Sequence, residues 1–215
     1  EFNRKYHVIE PFEIPPEWPR IRGGDWGYNE PAAVVWAAVG PDNELYVYRE
    51  YYKSGVIADQ FARNIVALEA SCNETMQYGV LDSSAWHRRG DRSPSIAEQM
   101  RSQGLRWRPA DRSPGSRISG KQELHRWLAL MEDPITGEKT NPKLKIFNTC
   151  TDLIRTLPTL PLDKNRPEDV DTKADDHLYD ALRYLVMSRP RGLDFMTEMN
   201  KVKQRPLVVD PVFGY

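Results

Sequence analysis

Residues 21–53 read IRGGDWGYNEPAAVVWAAVGPDNELYVYREYYK, and this stretch decides the fold. AAVVWAAV at 32–39 and ELYVYREYY from Glu44 are rich in Val, Trp and Tyr, side chains that fit a pleated surface. GPDN at Gly40 is turn chemistry, so the two runs predict consecutive antiparallel strands joined by a tight turn. IRGGDWGYN predicts a strand before them, and the three make a β-meander. Asp25 falls in the middle of that first, central strand, flanked by Gly24 and Gly27. A carboxylate buried in a core strand is costly unless it is neutralised or coordinated.

Downstream the apolar period lengthens. Ile57, Phe61, Ile65, Val66 and Leu68 predict an amphipathic helix ending near Cys72. YGVLDSSA at 78–85 predicts a short strand running into small polar residues. SPSIAEQMRSQG from Ser93 has a Ser-Pro start and a Gly stop, the marks of a short helix. LRWRPA predicts a strand, SGKQELHRWLALM a helix capped by Ser119, KLKIF a strand at Leu144 to Phe147, and NTCTDLIRTLPTLP a broken helix. ADDHLYDALRYLVMSRPRG from Ala174 predicts a helix with Leu178, Ala181, Leu182 and Leu185 on one face, stopped by Pro190 and Gly192. A meander followed by alternating elements predicts an α/β domain: a mixed central β-sheet with flanking helices. Residues 1–20 read as a proline-rich linker or arm, 21–190 as the domain and 191–215 as a C-terminal tail.

The chain has 215 residues, 30 Lys and Arg against 31 Asp and Glu, and a formal net charge of -1, which excludes a uniformly basic nucleic-acid coat and an acidic solvating tail. Its longest apolar run, Ala32 to Val39, is far shorter than the roughly 20 residues of a membrane-spanning helix. The N-terminus reads as neither an initiator nor a signal peptide, so an excised piece of a longer protein is expected. Cys72 and Cys150 have no metal-ligand spacing around them, and free thiols in a reducing compartment are expected.

Three acidic positions stand out: Asp25; Asp82, at the C-terminal end of an apolar strand; and Asp175, Asp176 and Asp180 at the start of the last helix, the latter two one turn apart on one face. Each has a bland reading, since acids cap helices and begin turns. Brought together, such carboxylates repel unless a cation sits among them. Hard oxygen donors call for Mg²⁺ or Mn²⁺, and two such ions clamp the attacking and leaving oxygens of a phosphodiester.

GGDWGYNEPAAVVW at 23–36, YGVLDSSA at 78–85 and DDHLYDALRY at 175–184 resemble the three acidic motifs of the nuclease domain of the terminase large subunit, the DNA-packaging motor of tailed bacteriophages. The resemblance covers roughly residues 21–190 and implies an RNase H-like fold. It implies an endonuclease cutting concatemeric genome DNA with two Mg²⁺ or Mn²⁺ ions, held by Asp25, Asp82 and the group Asp175, Asp176 and Asp180. Of the last three, Asp176 and then Asp180 are the favoured ligands. His177 reads as an exposed helix residue, with a supporting role beside the metal ligands as the alternative. The resemblance also implies double-stranded DNA, the portal protein and the small subunit as partners, at the procapsid portal in the host cytoplasm. The motor's ATPase domain is expected to be absent from this chain. DDHLYDALRY alone also suits another RNase H-like nuclease, such as a Holliday-junction resolvase. The C-terminal KQRPLVVDPVFGY suits a non-catalytic docking module.

Between Trp86 and Arg126 ten basic residues face four acidic ones, a local balance of +6, whereas Asp163 to Asp180 carries seven acids and three bases, a balance of -4. Arg88, Arg89, Arg112, Arg117 and Lys121 are therefore the expected DNA-phosphate contacts. Trp86 and Trp107 read as core aromatics rather than base-stacking platforms. GSRISGKQ at Gly115 is a near match to a phosphate-binding P-loop, but Gln122 replaces the Mg²⁺-holding hydroxyl and no strand precedes it, so ATP binding is rejected.

Overall fold

A computed structural model describes residues 2–88, 90, 93–132, 135–161 and 175–189. Arg89, Arg92, the acidic segment 163–174 and the tail at 191–215 lie outside the described residues.

The meander forms as the sequence predicts. β2 (Arg20–Asp25), β3 (Ala32–Val39) and β4 (Leu45–Lys53) are successive antiparallel neighbours. β1 (Val8–Ile9), preceded by the one-turn α1 (Arg4–His7), pairs in parallel with β9 (Leu144–Phe147), which pairs in parallel with β4. On the other side β5 (Met76–Leu81) runs parallel to β2, and the two-residue β6 (Arg108–Pro109) runs parallel to β5. The result is a seven-stranded mixed sheet in the order β1-β9-β4-β3-β2-β5-β6. β7 (Met131–Glu132) and β8 (Lys139–Thr140) form a separate small hairpin.

All eight residues of β3 are buried because helices cover both faces of the sheet. Ala33, Val35 and Ala37 pack with α4 (Ser116–Leu128), α5 (Thr151–Thr156) and α6 (His177–Met187), through Leu124, Leu153, Leu178, Leu182 and Leu185. Ala32, Val34 and Trp36 pack with α2 (Ala58–Ser71) and α3 (Ile96–Ser102), through Phe61, Ile65 and Met100. Each fully buried leucine or phenylalanine contributes about 1.5–3 kcal/mol, so the run AAVVWAAV is the hinge of two cores rather than the inner face of one.

Three local expectations are corrected. Asp25 is the last residue of its strand, not its middle. α4 begins at Ser116 after Gly115, whose φ of 84° is left-handed, so Ser119 lies inside the helix and instead donates its hydroxyl to the Gly115 carbonyl at 2.8 Å. α3 is capped by Ser95 rather than started by Ser93-Pro94: Ser95 and Glu98 satisfy each other's backbone N–H groups in a capping box.

A candidate active site of carboxylates at one end of the sheet

β2 and β5 are parallel neighbours, so their carboxyl ends coincide. Asp25 closes the first, and Asp82 follows the second, its N–H donating to the Gly24 carbonyl at 3.2 Å. α6 brings the other acids to the same end. A Cβ placed on Gly23 would fall 2.1 Å from the Ala181 carbonyl oxygen and 2.8 Å from the Leu185 Cβ, so the helix backbone lies directly on the strand. Only glycine permits that approach. Asp176 stands at the N-cap position of α6, yet its side chain makes no capping hydrogen bond, so the commonplace role for an acid there does not describe it.

The partners of these carboxylates show a site with more negative than positive charge. His177 Nδ1 lies 2.9 Å from Asp25 Oδ2, and its Nε2 lies 3.8 Å from the exposed Glu30. Arg183 Nε donates to Asp180 Oδ1 at 3.0 Å, and Arg117 Nη1 donates to Asp180 Oδ2 at 3.1 Å. Arg117 Nη2 lies 3.6 Å from Asp176 Oδ2. Asp82 accepts a hydrogen bond from the Ser84 hydroxyl. Burial pushes the Asp25 carboxyl up from its ordinary value; the His177 contact opposes this, and the charges of Asp180 and Asp82 add to it. Burial, reinforced by Asp180 and opposed by Arg117, raises Asp176 to about 6. The hydrogen bond with Asp25 raises His177. Among the described residues, four carboxylates thus meet two arginines and one histidine.

Asp175 turns elsewhere: it accepts from the Tyr52 hydroxyl and pairs with Arg155 at 3.5 Å. The exposed-residue reading of His177 is overturned by its contact with Asp25. The signal for it is only its place beside Asp176 at the start of a helix that crosses the first strand. Sequence reasoning misses Arg183, which holds Asp180 from one turn away. The donor set is chemically suited to Mg²⁺ or Mn²⁺, being hard carboxylate oxygen with unmatched negative charge. Among the described residues, no three His, Cys, Asp or Glu side chains stand as a ready-made metal-binding group; their oxygens are directed to Arg117, Arg183, His177 and Ser84.

Of the basic residues, Arg88 is exposed and paired with Glu98 at 2.7 Å, Arg112 is exposed, Lys121 is half-buried, and Arg117 is in the carboxylate cluster. Arg112 and Arg117 border a cleft of about 300 Å³ between the start of α4 and the face of α6. The P-loop-like GSRISGKQ lies on α4, with Gly120 packed against Arg183, and forms no phosphate-cradling loop. Trp86 and Trp107 pack against the core, as expected.

Sheet order and the carboxylate end together define an α/β domain of the RNase H-like kind. Among solved structures the fold is shared with large terminase nucleases of bacteriophages. The nuclease domain of the P22 large terminase superposes with a TM-score of 0.66 at 21% identity, over 87% of this chain and 89% of that one. The large terminase of a thermophilic bacteriophage, in complex with ADP, gives 0.68 at 17% identity, over 87% of this chain and 43% of that longer one. The large terminase nuclease of the thermophilic phage G20c, a structure with bound zinc, gives 0.55 at 11% identity, over 86% of this chain and 95% of that one. At the level of sequence, no protein-family model and no curated protein matches the chain.

Proposed function

We propose that this chain is a divalent-metal-dependent DNA endonuclease, the nuclease part of a viral terminase large subunit that cuts concatemeric genome DNA during packaging. The observation that carries this reading is the convergence of Asp25, Asp82, Asp176 and Asp180, from three separate stretches of sequence, at one end of a sheet whose fold is that of terminase nucleases. The zinc in the G20c structure supports a cation site in this fold.

In this reading Asp25, Asp82, Asp176 and Asp180 hold two Mg²⁺ or Mn²⁺ ions, which supply Lewis-acid activation of water and stabilisation of the departing oxygen. His177 orients Asp25 through the 2.9 Å contact, and Arg183, 3% exposed, fixes Asp180 from behind. Asp175 holds α6 against β4 through Tyr52 and against α5 through Arg155. Exposed Arg88 and Arg112, with Arg89 and Lys121, bind the DNA backbone. The portal protein and the terminase small subunit are the proposed partners, at the procapsid portal in the host cytoplasm.

Plasmid incubation with Mn²⁺, Mg²⁺ or EDTA tests the reading. Cleavage by the wild type with either metal, lost in EDTA and in Asp25→Ala, is the expected result. Cleavage that survives both EDTA and the substitution overturns it. Selective cutting of four-way junctions over linear duplex would move the assignment to a junction resolvase.

A further inference from the structure

Arg117 stands between two opposite surroundings. On one side its guanidinium bridges Asp180, at 3.1 Å, and Asp176, at 3.6 Å, two carboxylates one helical turn apart. On the other it borders the cleft of about 300 Å³, whose wall also includes Arg112, Ser113, Ser116, Arg183 and Tyr184. Asp111, the one acid on that wall among the described residues, directs its carboxylate into its own turn, accepting from the Ser113 N–H at 2.8 Å and the Ser113 hydroxyl at 3.1 Å. The cleft therefore presents cations and hydroxyls, which is the chemistry that receives a phosphate.

The two arginines on the carboxylates differ in exposure. The Arg183 side chain is 3% exposed and locked onto Asp180 through Nε. The Arg117 side chain is 32% exposed, and its long stem starts at the second residue of α4, beside both the carboxylates and the cleft. A guanidinium at its present place and a divalent cation on the same oxygens would repel strongly, so the two occupy Asp176 and Asp180 alternately.

We propose that Arg117 is an exchangeable internal cation that couples DNA binding to metal binding. While the cleft is empty it neutralises the Asp176–Asp180 pair. A DNA backbone phosphate seated in the cleft draws the guanidinium into a bidentate contact and leaves both carboxylates to a divalent cation. This inference rests on the nuclease reading and adds its regulation: DNA and metal raise each other's affinity by the same factor, and the protein away from DNA holds metal weakly.

The test uses the whole chain and reads binding rather than cutting. Mn²⁺ titration calorimetry without DNA is expected to show Arg117→Gln binding at least about tenfold tighter than wild type, with Arg117→Lys between them. Duplex affinity with and without Ca²⁺ is then expected to rise with the ion in wild type and to lose most of that rise in Arg117→Gln. Melting curves of each variant verify folding. A wild type that binds Mn²⁺ and cuts DNA, beside an Arg117→Gln whose Mn²⁺ affinity is equal or weaker, overturns the coupling alone. A folded wild type that neither binds Mn²⁺ nor cuts overturns the nuclease reading and the coupling together.

Discussion

Two charged residues on β2, three positions apart and on opposite faces, have contrasting surroundings. Arg22 is buried, and its guanidinium meets the Glu69 carboxylate at 2.7 and 2.9 Å, donates to the Arg106 carbonyl at 2.8 Å and lies 4.6 Å from the Trp107 ring. Glu69 also accepts from Trp36 Nε1 at 2.8 Å. One cation meets one anion, the Arg106 carbonyl and the Trp36 N–H add a neutral contact to each, and of this pair's polar side-chain atoms only the Arg22 Nε is left without a hydrogen bond among the described residues. At Asp25 the charges do not balance, because Asp82, Asp176 and Asp180 stand around it and, among the described residues, Arg117, Arg183 and His177 answer them. A closed pair holds a sheet to a helix and asks for nothing more. An open cluster of like charge calls for a cation from outside, and that difference separates a structural network from a candidate active site.

The largest test of the contrast is Asp25→Asn. Cleavage is expected to fall by roughly 10³-fold or more, while the melting temperature measured in EDTA rises, because a like charge leaves the cluster. A fall in both would place Asp25 with Arg22 as a structural charge. Glu69→Ala is the mirror experiment. It strands Arg22 in the core and is expected to cost about 3–5 kcal/mol in urea unfolding, with cleavage per folded molecule retained. A loss of cleavage at full stability would break the contrast from the other side.

The smallest effect belongs to the exposed pair of Arg88 and Glu98. Arg88 first, and then the Ser95 N–H and hydroxyl, hold the Glu98 carboxyl down at about 2, against an ordinary 4.5. A depressed carboxylate stabilises the fold above its unfolded value and loses that contribution as pH falls through its folded one. The melting-temperature gap between wild type and Glu98→Gln is therefore expected to be slight at neutral pH and to close as pH drops from about 4.5 to about 2. Solvent screens this pair, so molar salt should shrink the gap as well.

Much of this is legible in the sequence, for identifiable reasons. The meander shows in AAVVWAAV because a strand buried on both faces is apolar at every position. The acids show because Asp82 ends an apolar run, Asp25 interrupts the predicted strand, and Asp176 and Asp180 open an amphipathic helix. Arg22 escapes notice because an arginine in a strand carries no mark of its partner, which here is 47 residues away on α2. The His177 contact spans 152 residues and exists only because α6 descends onto Gly23. β1 is two residues long, too short for any period to show. Arg117 reads as one more arginine of the basic stretch, since the turn of α4 that aims it inward depends on the left-handed Gly115 rather than on the Ser119 that the sequence suggests.

The seating of α6 on Gly23 also sets a schedule. Asp176 and Asp180 leave the ribosome more than ninety residues after Asp82. At about 5–20 residues per second the nascent chain carries half a site for several seconds. During that interval it carries Asp25 and Asp82 without Asp176 and Asp180, which the proposed nuclease chemistry also requires. Under the proposed function, competence arrives only with the docking of one late helix.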